Sequence, residues 1–247
     1  MTAPDMKVRR GMYLLPSLIT VGNLFCGYAC VMYAMRGDLA TAAPFIGVAV
    51  ILDMLDGRIA RMTGTSSAFG VEFDSLADVV SFGVAPAVLA FAWGLSELGR
   101  WGWAAGFLYV TAAAIRLARF NIQTTVQTDK RFFIGMPSPA AAGVPAATVF
   151  FYPHPLIGPA QALIGIAVVV IPAILMVSTI KFRSFKTINF GWDRNYFKLF
   201  VFAALIAFIA TEPRIALVII SYVYLASAFV DLAVTRFRSS RPLPPAA

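Results

Sequence analysis

Between residues 13 and 236 the chain is a succession of apolar runs, at roughly 13–35, 40–62, 67–96, 101–121, 138–152, 156–179, 197–211 and 214–236. A hydrocarbon core about 30 Å thick takes roughly 20 apolar residues of helix to cross, and a helix satisfies its own backbone where water is absent. The pattern predicts an all-α, polytopic membrane protein of about eight transmembrane helices, a core of six plus two. The fifth and seventh runs are short for a full crossing, and Pro145 interrupts the fifth. A mean hydropathy of +0.79 with 13% charged residues excludes a soluble domain. The longest polar stretch, about residues 181–198, is too short to bury a core of its own. Residues 1–12 read as a basic N-terminal segment, 13–236 as a single membrane-embedded domain, and 237–247, which carries Arg241-Pro-Leu-Pro-Pro, as a disordered tail. The first apolar run continues to Met35 with no small-residue cleavage site, so it reads as a retained helix and not a signal peptide. No internal repeat is visible.

The net charge of +8 is distributed by loop. Seventeen of the 20 lysines and arginines fall in alternate gaps: Lys7, Arg9, Arg10; Arg58, Arg61; Arg116, Arg119, Lys130, Arg131; Lys181, Arg183, Lys186, Arg194, Lys198; Arg236, Arg238, Arg241. The intervening gaps hold Arg36, Arg100 and Arg214 alone. Cytoplasmic loops carry this bias, which places both termini on the cytoplasmic side and draws in anionic lipid headgroups rather than nucleic acid. Trp101, Trp103, Trp192 and Tyr196 fall near the expected interfaces, where amphipathic aromatics are favoured. Cys26 and Cys30 read as buried free thiols, because the single histidine, His154, cannot complete a zinc site with them.

Acidic residues number 12, yet four lie in apolar sequence at regular spacing: Asp53-x-x-Asp56-Gly57-x-x-Ala60-Arg61, eight residues, then Gly70-x-x-x-Asp74-x-x-x-Asp78. An ionised carboxylate in a bilayer costs about 3 kcal/mol even on the lenient insertion scale, so four together need compensation. A divalent cation supplies it, since hard ions take carboxylate oxygens and neutralise their repulsion. Helix positions three, four, seven and eight apart share a face. Asp53, Asp56, Gly57, Ala60 and Arg61 therefore line one face of the second helix, and Gly70, Asp74 and Asp78 one face of the third. The short connection over 62–69 makes these helices antiparallel neighbours, and their carboxylates can converge near the cytoplasmic interface. Gly57, Ala60 and Gly70 remove bulk there, while Arg61 offers a fork suited to phosphate oxygens. Carboxylates, a divalent ion and an arginine suggest a diphosphate substrate; a buried ion-pair cluster that only pins helices is the alternative. Glu72 projects off the shared face.

The string resembles the signature of the CDP-alcohol phosphatidyltransferases, and all eight fixed positions of that signature are filled between residues 53 and 78. The resemblance implies a helical membrane enzyme, usually a homodimer, that moves a phosphatidyl group from a CDP-linked lipid to an alcohol and releases CMP. It further implies that Asp53, Asp56 and Asp74 hold Mg²⁺ or Mn²⁺, with Asp53 and Asp74 bridging two ions. Asp78 would join the second ion and act as the base on the acceptor hydroxyl. Gly57, Ala60, Arg61, Ser67 and Gly70 would lie against the CDP moiety.

Three further stretches resemble one branch of that family, the membrane-embedded bacterial phosphatidylserine synthases. They are Pro16-Ser-Leu-Ile-Thr20-Val-Gly-Asn23-Leu-Phe-Cys-Gly27, Arg116-Leu-Ala-Arg119-Phe-Asn121 and Phe133-Ile-Gly-Met-Pro137-Ser-Pro-Ala-Ala-Ala-Gly143. The branch implies CDP-diacylglycerol and L-serine as substrates and a site facing the cytoplasm from the bacterial inner membrane. Thr20 and Asn23 are then candidate contacts to CDP-diacylglycerol, or alternatively interhelical contacts. Arg116 and Arg119 are candidates to bind the serine carboxylate, or alternatively arginines that set topology. Asn121 and Ser138 are lesser candidates on that side. Glycerol 3-phosphate or inositol phosphate acceptors would also want arginines. A cation transporter is the non-enzyme reading of membrane aspartates, but it leaves Gly57, Ala60, Arg61 and Gly70 unexplained. One histidine excludes phosphatidyl transfer through paired histidine-lysine motifs.

Overall fold

Helix α1 (Pro4–Met35) turns into helix α2 (Leu39–Thr63) through Arg36, Gly37 and Asp38. Gly37 takes φ +77°, a conformation a side chain would strain, and Asp38 caps α2 by accepting the Thr41 N–H at 3.1 Å. The protein is seen here as a computed structural model that describes residues 4–63, 67–126, 132–183 and 196–239. The remaining helices are α3 (Ala68–Asp78), α4 (Ala85–Trp93), α5 (Arg100–Val126), α6 (Ser138–Phe151), α7 (Pro159–Val177), α8 (Tyr196–Thr211) and α9 (Pro213–Ser239). Every apolar run read from the sequence is helical. α1 begins well before residue 13, α5 runs past residue 121, and Pro145 is accommodated inside an unbroken α6. The tail beyond Ser239, Trp192 and most of the polar stretch 181–198 lie outside the described residues.

The third apolar run is not a uniform helix. α3 passes into a π-helical turn (Val79–Val84) before continuing as α4. Pro86, near the start of α4, accounts for the widening: it has no N–H, and its ring would crowd the Phe82 carbonyl in α-helical register. In the wide turn the Ala85 N–H reaches back to the Val80 carbonyl instead.

Among the described residues, four helical segments are long and apolar enough to cross a membrane: Ser17–Met35, Leu39–Met62, Ala68–Trp93 and Pro159–Val177. Ser138–Phe151 and Pro213–Ser227 are shorter apolar helices. Small residues such as Ala42, Ala43, Ala49, Ala85, Ala113 and Ala142 fill the interior, allowing the close helix approach typical of membrane bundles. Large apolar side chains, among them Leu18, Phe25, Met54, Trp101, Trp103 and Ile174, are exposed on the outside, where hydrocarbon and headgroups would cover them. Cys26 and Cys30 are buried free thiols, and His154 packs edge-on against Tyr152.

Two short strands complete the fold, and the hydropathy pattern contains no sign of them. β1 (Phe132–Ile134) pairs antiparallel with β2 (Lys181–Arg183), with Phe133 opposite Phe182. The pairing continues as Gly135 N–H to the Ile180 carbonyl at 2.8 Å and Met136 N–H to the Leu175 carbonyl at 2.9 Å, tying the entry of α6 to the end of α7. Strands of three residues carry too little periodicity to read. Gly135 takes φ +82°, and a β-carbon there would run into the Met176 carbonyl. Gly135→Ala should therefore lower stability by roughly 2–4 kcal/mol, a strained backbone added to an overpacked contact. The thermal unfolding midpoint of the detergent-solubilised variant checks this; an unchanged midpoint would mean the loop relaxes freely.

Candidate active site

The site forms where α1, α2, α3 and α5 meet. Thr20, Asn23 and Gly27 recur at helical spacing along one face of α1. Thr20 Oγ1 donates to Asp56 Oδ2 at 3.0 Å, and Asn23 Nδ2 donates to Asp78 Oδ1 at 3.2 Å, all four residues being buried. α1 thus presents a polar strip to the acids of both neighbouring helices.

Asp53, Asp56 and Asp74 converge as their spacing predicts, each with a carboxylate oxygen within 4.8 Å of the others. Asp56 Oδ1 and Asp74 Oδ1 are buried and have no hydrogen-bond partner. Buried carboxylate oxygens without partners are costly, and two of them beside a third converging carboxylate are a hard-cation donor set. The residues fit a divalent metal ion on these observations. Asp78 stands apart from this group of three but within the electrostatic field of all of them.

The small residues of the motif have local work as well. A β-carbon at Gly57 would lie 3.4 Å from Arg61 Nη1, so the bare helix surface there leaves room for the guanidinium to fold back. Arg61 and Arg116 are the cations whose fields reach Asp53. Ser67 caps α3, its Oγ accepting the Gly70 N–H at 3.0 Å, and a β-carbon at Gly70 would approach that oxygen to 3.1 Å. Ala60 is half-buried on the same side of α2, and Glu72 is exposed.

On α5, Arg116 is half-buried beneath the acids. Its Nη1 donates to Ser138 Oγ at 3.2 Å, its guanidinium lies 5.2 Å from the centre of the Phe120 ring, and it sits in the fields of Asp78, Asp53 and Tyr224. Ser138 is fully buried at the start of α6. Arg119 is half-buried and does not share that hydrogen bond. Asn121 Nδ2 donates to Ser75 Oγ at 2.8 Å, fastening the end of α5 to α3.

Residues 13–180 match the model of the CDP-alcohol phosphatidyltransferase family, and every acid and arginine of the site lies inside that stretch. The chain belongs to this family. Among the relatives of this phosphatidyltransferase is the CDP-diacylglycerol–serine O-phosphatidyltransferase of Helicobacter pylori (strain ATCC 700392 / 26695), 40% identical over 217 residues that span 87% of this chain and 89% of that protein. The protein of the same name from Bacillus subtilis (strain 168) is 36% identical over 175 residues, 71% of this chain and 93% of the relative. An archaetidylserine synthase from Methanothermobacter thermautotrophicus is 34% identical over 170 residues, 68% of this chain and 69% of the relative. In this phosphatidyltransferase α8 and α9 follow the matched segment.

Two residues at the site, Ser75 and Ser81, escaped the sequence reading, and Gly27 entered it only as the end of a motif. Ser81 could have been found, because it continues the Asp74, Asp78 spacing by three more residues onto the same helical face. Ser75 lies beside that face, and nothing in one sequence pairs it with Asn121.

Proposed function

We propose that the protein transfers the phosphatidyl group of CDP-diacylglycerol to the hydroxyl of L-serine, giving phosphatidylserine and CMP. The similarity to the Helicobacter and Bacillus relatives named for serine carries the choice of acceptor, and Arg116, fastened to Ser138 in the fields of Asp78 and Asp53, offers a partner for the serine carboxylate. A planar cationic fork beside a candidate base suits an acceptor with both a carboxylate and a hydroxyl.

In this reading Asp53, Asp56 and Asp74 hold Mg²⁺ or Mn²⁺, with Asp78 reaching a second ion. Ions bound there supply neutralisation of the diphosphate and of the charge that develops on departing CMP. Gly57, Ala60 and Gly70 let the diphosphate approach the helix surfaces, and Arg61 pairs with its oxygens. Ser67 and Thr20 border the nucleotide, and Asn23 Oδ1, buried and without a partner, offers an acceptor to the cytosine amine. Arg116 grips the serine carboxylate, with Arg119, Asn121 and Ser138 on the same side. Asp78 takes the proton from the serine hydroxyl as that oxygen bonds to the lipid phosphorus and the phosphorus–oxygen bond to CMP breaks. The charge bias supports a site at the cytoplasmic face of the bacterial inner membrane with both termini inside, the apolar runs support eight crossing helices, and the family resemblance implies a homodimer.

The test is CMP release by purified protein from CDP-diacylglycerol and Mg²⁺, with serine, glycerol 3-phosphate, inositol phosphate or choline as acceptor. Release with serine alone is expected. Release only with another alcohol would sink the serine assignment, and none with any would favour cation transport. Within the same assay, Arg116→Lys keeps the charge but loses the fork, and should raise the KM for serine roughly 10- to 150-fold, the worth of a hydrogen bond to a charged group. The KM for CDP-diacylglycerol should stay put, whereas Arg61→Lys should raise that one instead. An unchanged serine KM in both Arg116→Lys and Arg119→Lys would leave these arginines with topology alone.

A further inference from the structure

α1 grips the Asp78 region at two points. Asn23 Nδ2 donates to Asp78 Oδ1 at 3.2 Å, and Ser81 Oγ, in the π turn that follows, donates to the backbone carbonyl of the same Asn23 at 2.9 Å. Asn23 and Ser81 are both 0% exposed. The approach is possible because Gly27, one turn further along α1, has no side chain: a β-carbon there would stand 2.5 Å from Ser81 Oγ and 2.8 Å from Ser81 Cα. On the other side of the turn, a β-carbon at Gly83 would come within 3.3 Å of Ala113 Cβ on α5. Interiors at this packing density leave no slack to absorb a shift, so the turn is held between two helices.

We propose that Ser81 and Asn23 form a two-point clamp that positions the Asp78 carboxylate for proton transfer, Ser81 acting as a positioning residue through Asn23. The proposal rests on the reading of Asp78 as the base. A carboxylate held by one amide can still swing about its own torsions together with that amide. Here the amide belongs to a residue whose backbone is tied to the chain three residues beyond the carboxylate, closing a small ring of covalent and hydrogen bonds. Ser81 is 0% exposed and its hydroxyl is given to the Asn23 carbonyl. Its effect on the reaction must pass through the aim of Asp78, and proton transfer is sensitive to that aim.

A double-mutant cycle on the full-length protein tests this, with kcat, both KM values and the unfolding midpoint measured for Ser81→Ala, Asp78→Asn and the pair. Ser81→Ala should lower kcat roughly tenfold, on the scale of one net hydrogen bond, with the KM for serine nearly unchanged and the midpoint lowered by a few degrees at most. In the Asp78→Asn background the same replacement should change kcat by less than about twofold, the limit within which independent sites are additive. An equal loss in both backgrounds, or no loss in the parent, overturns the clamp. Near-normal turnover in Asp78→Asn alone is a different failure: it removes the base assignment, and the clamp with it.

Discussion

Asp78→Asn should lower turnover by about 10²–10⁴-fold, the usual worth of a general base. The replacement keeps the shape of the side chain, and its amide oxygen can still accept the Asn23 hydrogen bond that Asp78 Oδ1 accepts at 3.2 Å. What is lost is the capacity to take a proton, together with one negative charge. The converging group of Asp53, Asp56 and Asp74 does not include Asp78, so those three residues remain intact in the variant. CDP-diacylglycerol should therefore still bind, with its KM altered far less than kcat. The check is steady-state CMP release at saturating serine, with substrate binding followed separately. Near-normal turnover at neutral pH would take Asp78 out of the chemistry.

Removing divalent ions should have a larger effect still. Chelation should bring CMP release below detection, and added Mg²⁺ or Mn²⁺ should restore it, because three converging carboxylates with two orphaned oxygens cannot cradle a diphosphate of like charge unaided. A second readout does not depend on activity. An ion that binds only the folded chain adds about 2.7 kcal/mol of stability at 100 times its dissociation constant. For a chain of this size that corresponds to a rise in unfolding midpoint of roughly 5–10 °C. Asp74→Asn withdraws one of the three donors and should move the midpoint response to at least about tenfold higher ion concentration. A midpoint indifferent to millimolar Mg²⁺ and Mn²⁺ in the parent protein would mean that these carboxylates hold no ion.

The parts of this fold that were legible in the sequence are those that repeat. Hydropathy located each helix because a membrane helix must be apolar along its whole length. The three- and four-residue spacing of the acids placed Asp53, Asp56 and Asp74 together because spacing on a helix is direction in space. Single polar residues were another matter. Thr20 and Asn23 were each open to a nucleotide or an interhelical role, and the fold gives each an aspartate as neighbour, which depends on how α1 packs and not on α1 itself. Arg116 and Arg119 were indistinguishable by spacing, and the surroundings the fold brings to Arg116, Ser138 from α6 and the fields of Asp78 and Asp53, separate them. The β1–β2 pair joins residues far apart in the chain through backbone groups, which every sequence possesses alike.

The π turn also sets the phase of the helix it interrupts. The residues before it carry the acids toward α1 and α2, and those after it, such as Leu89, Ala90 and Trp93, are committed to the core. Each residue of α-helix advances the direction of its side chain by about 100°. The wider i→i−5 spacing of the turn takes up one residue more than an α-helix does over the same angle, so straightening 79–84 to α-helical geometry with every residue kept would rotate one half against the other by about that angle. With α4 anchored in the core, the rotation would fall on Asp74 and Asp78, swinging both away from their partners. The wide turn is thus an angular offset between a half-helix that does chemistry and a half-helix that holds it still, and its length is as much a part of the site as any carboxylate.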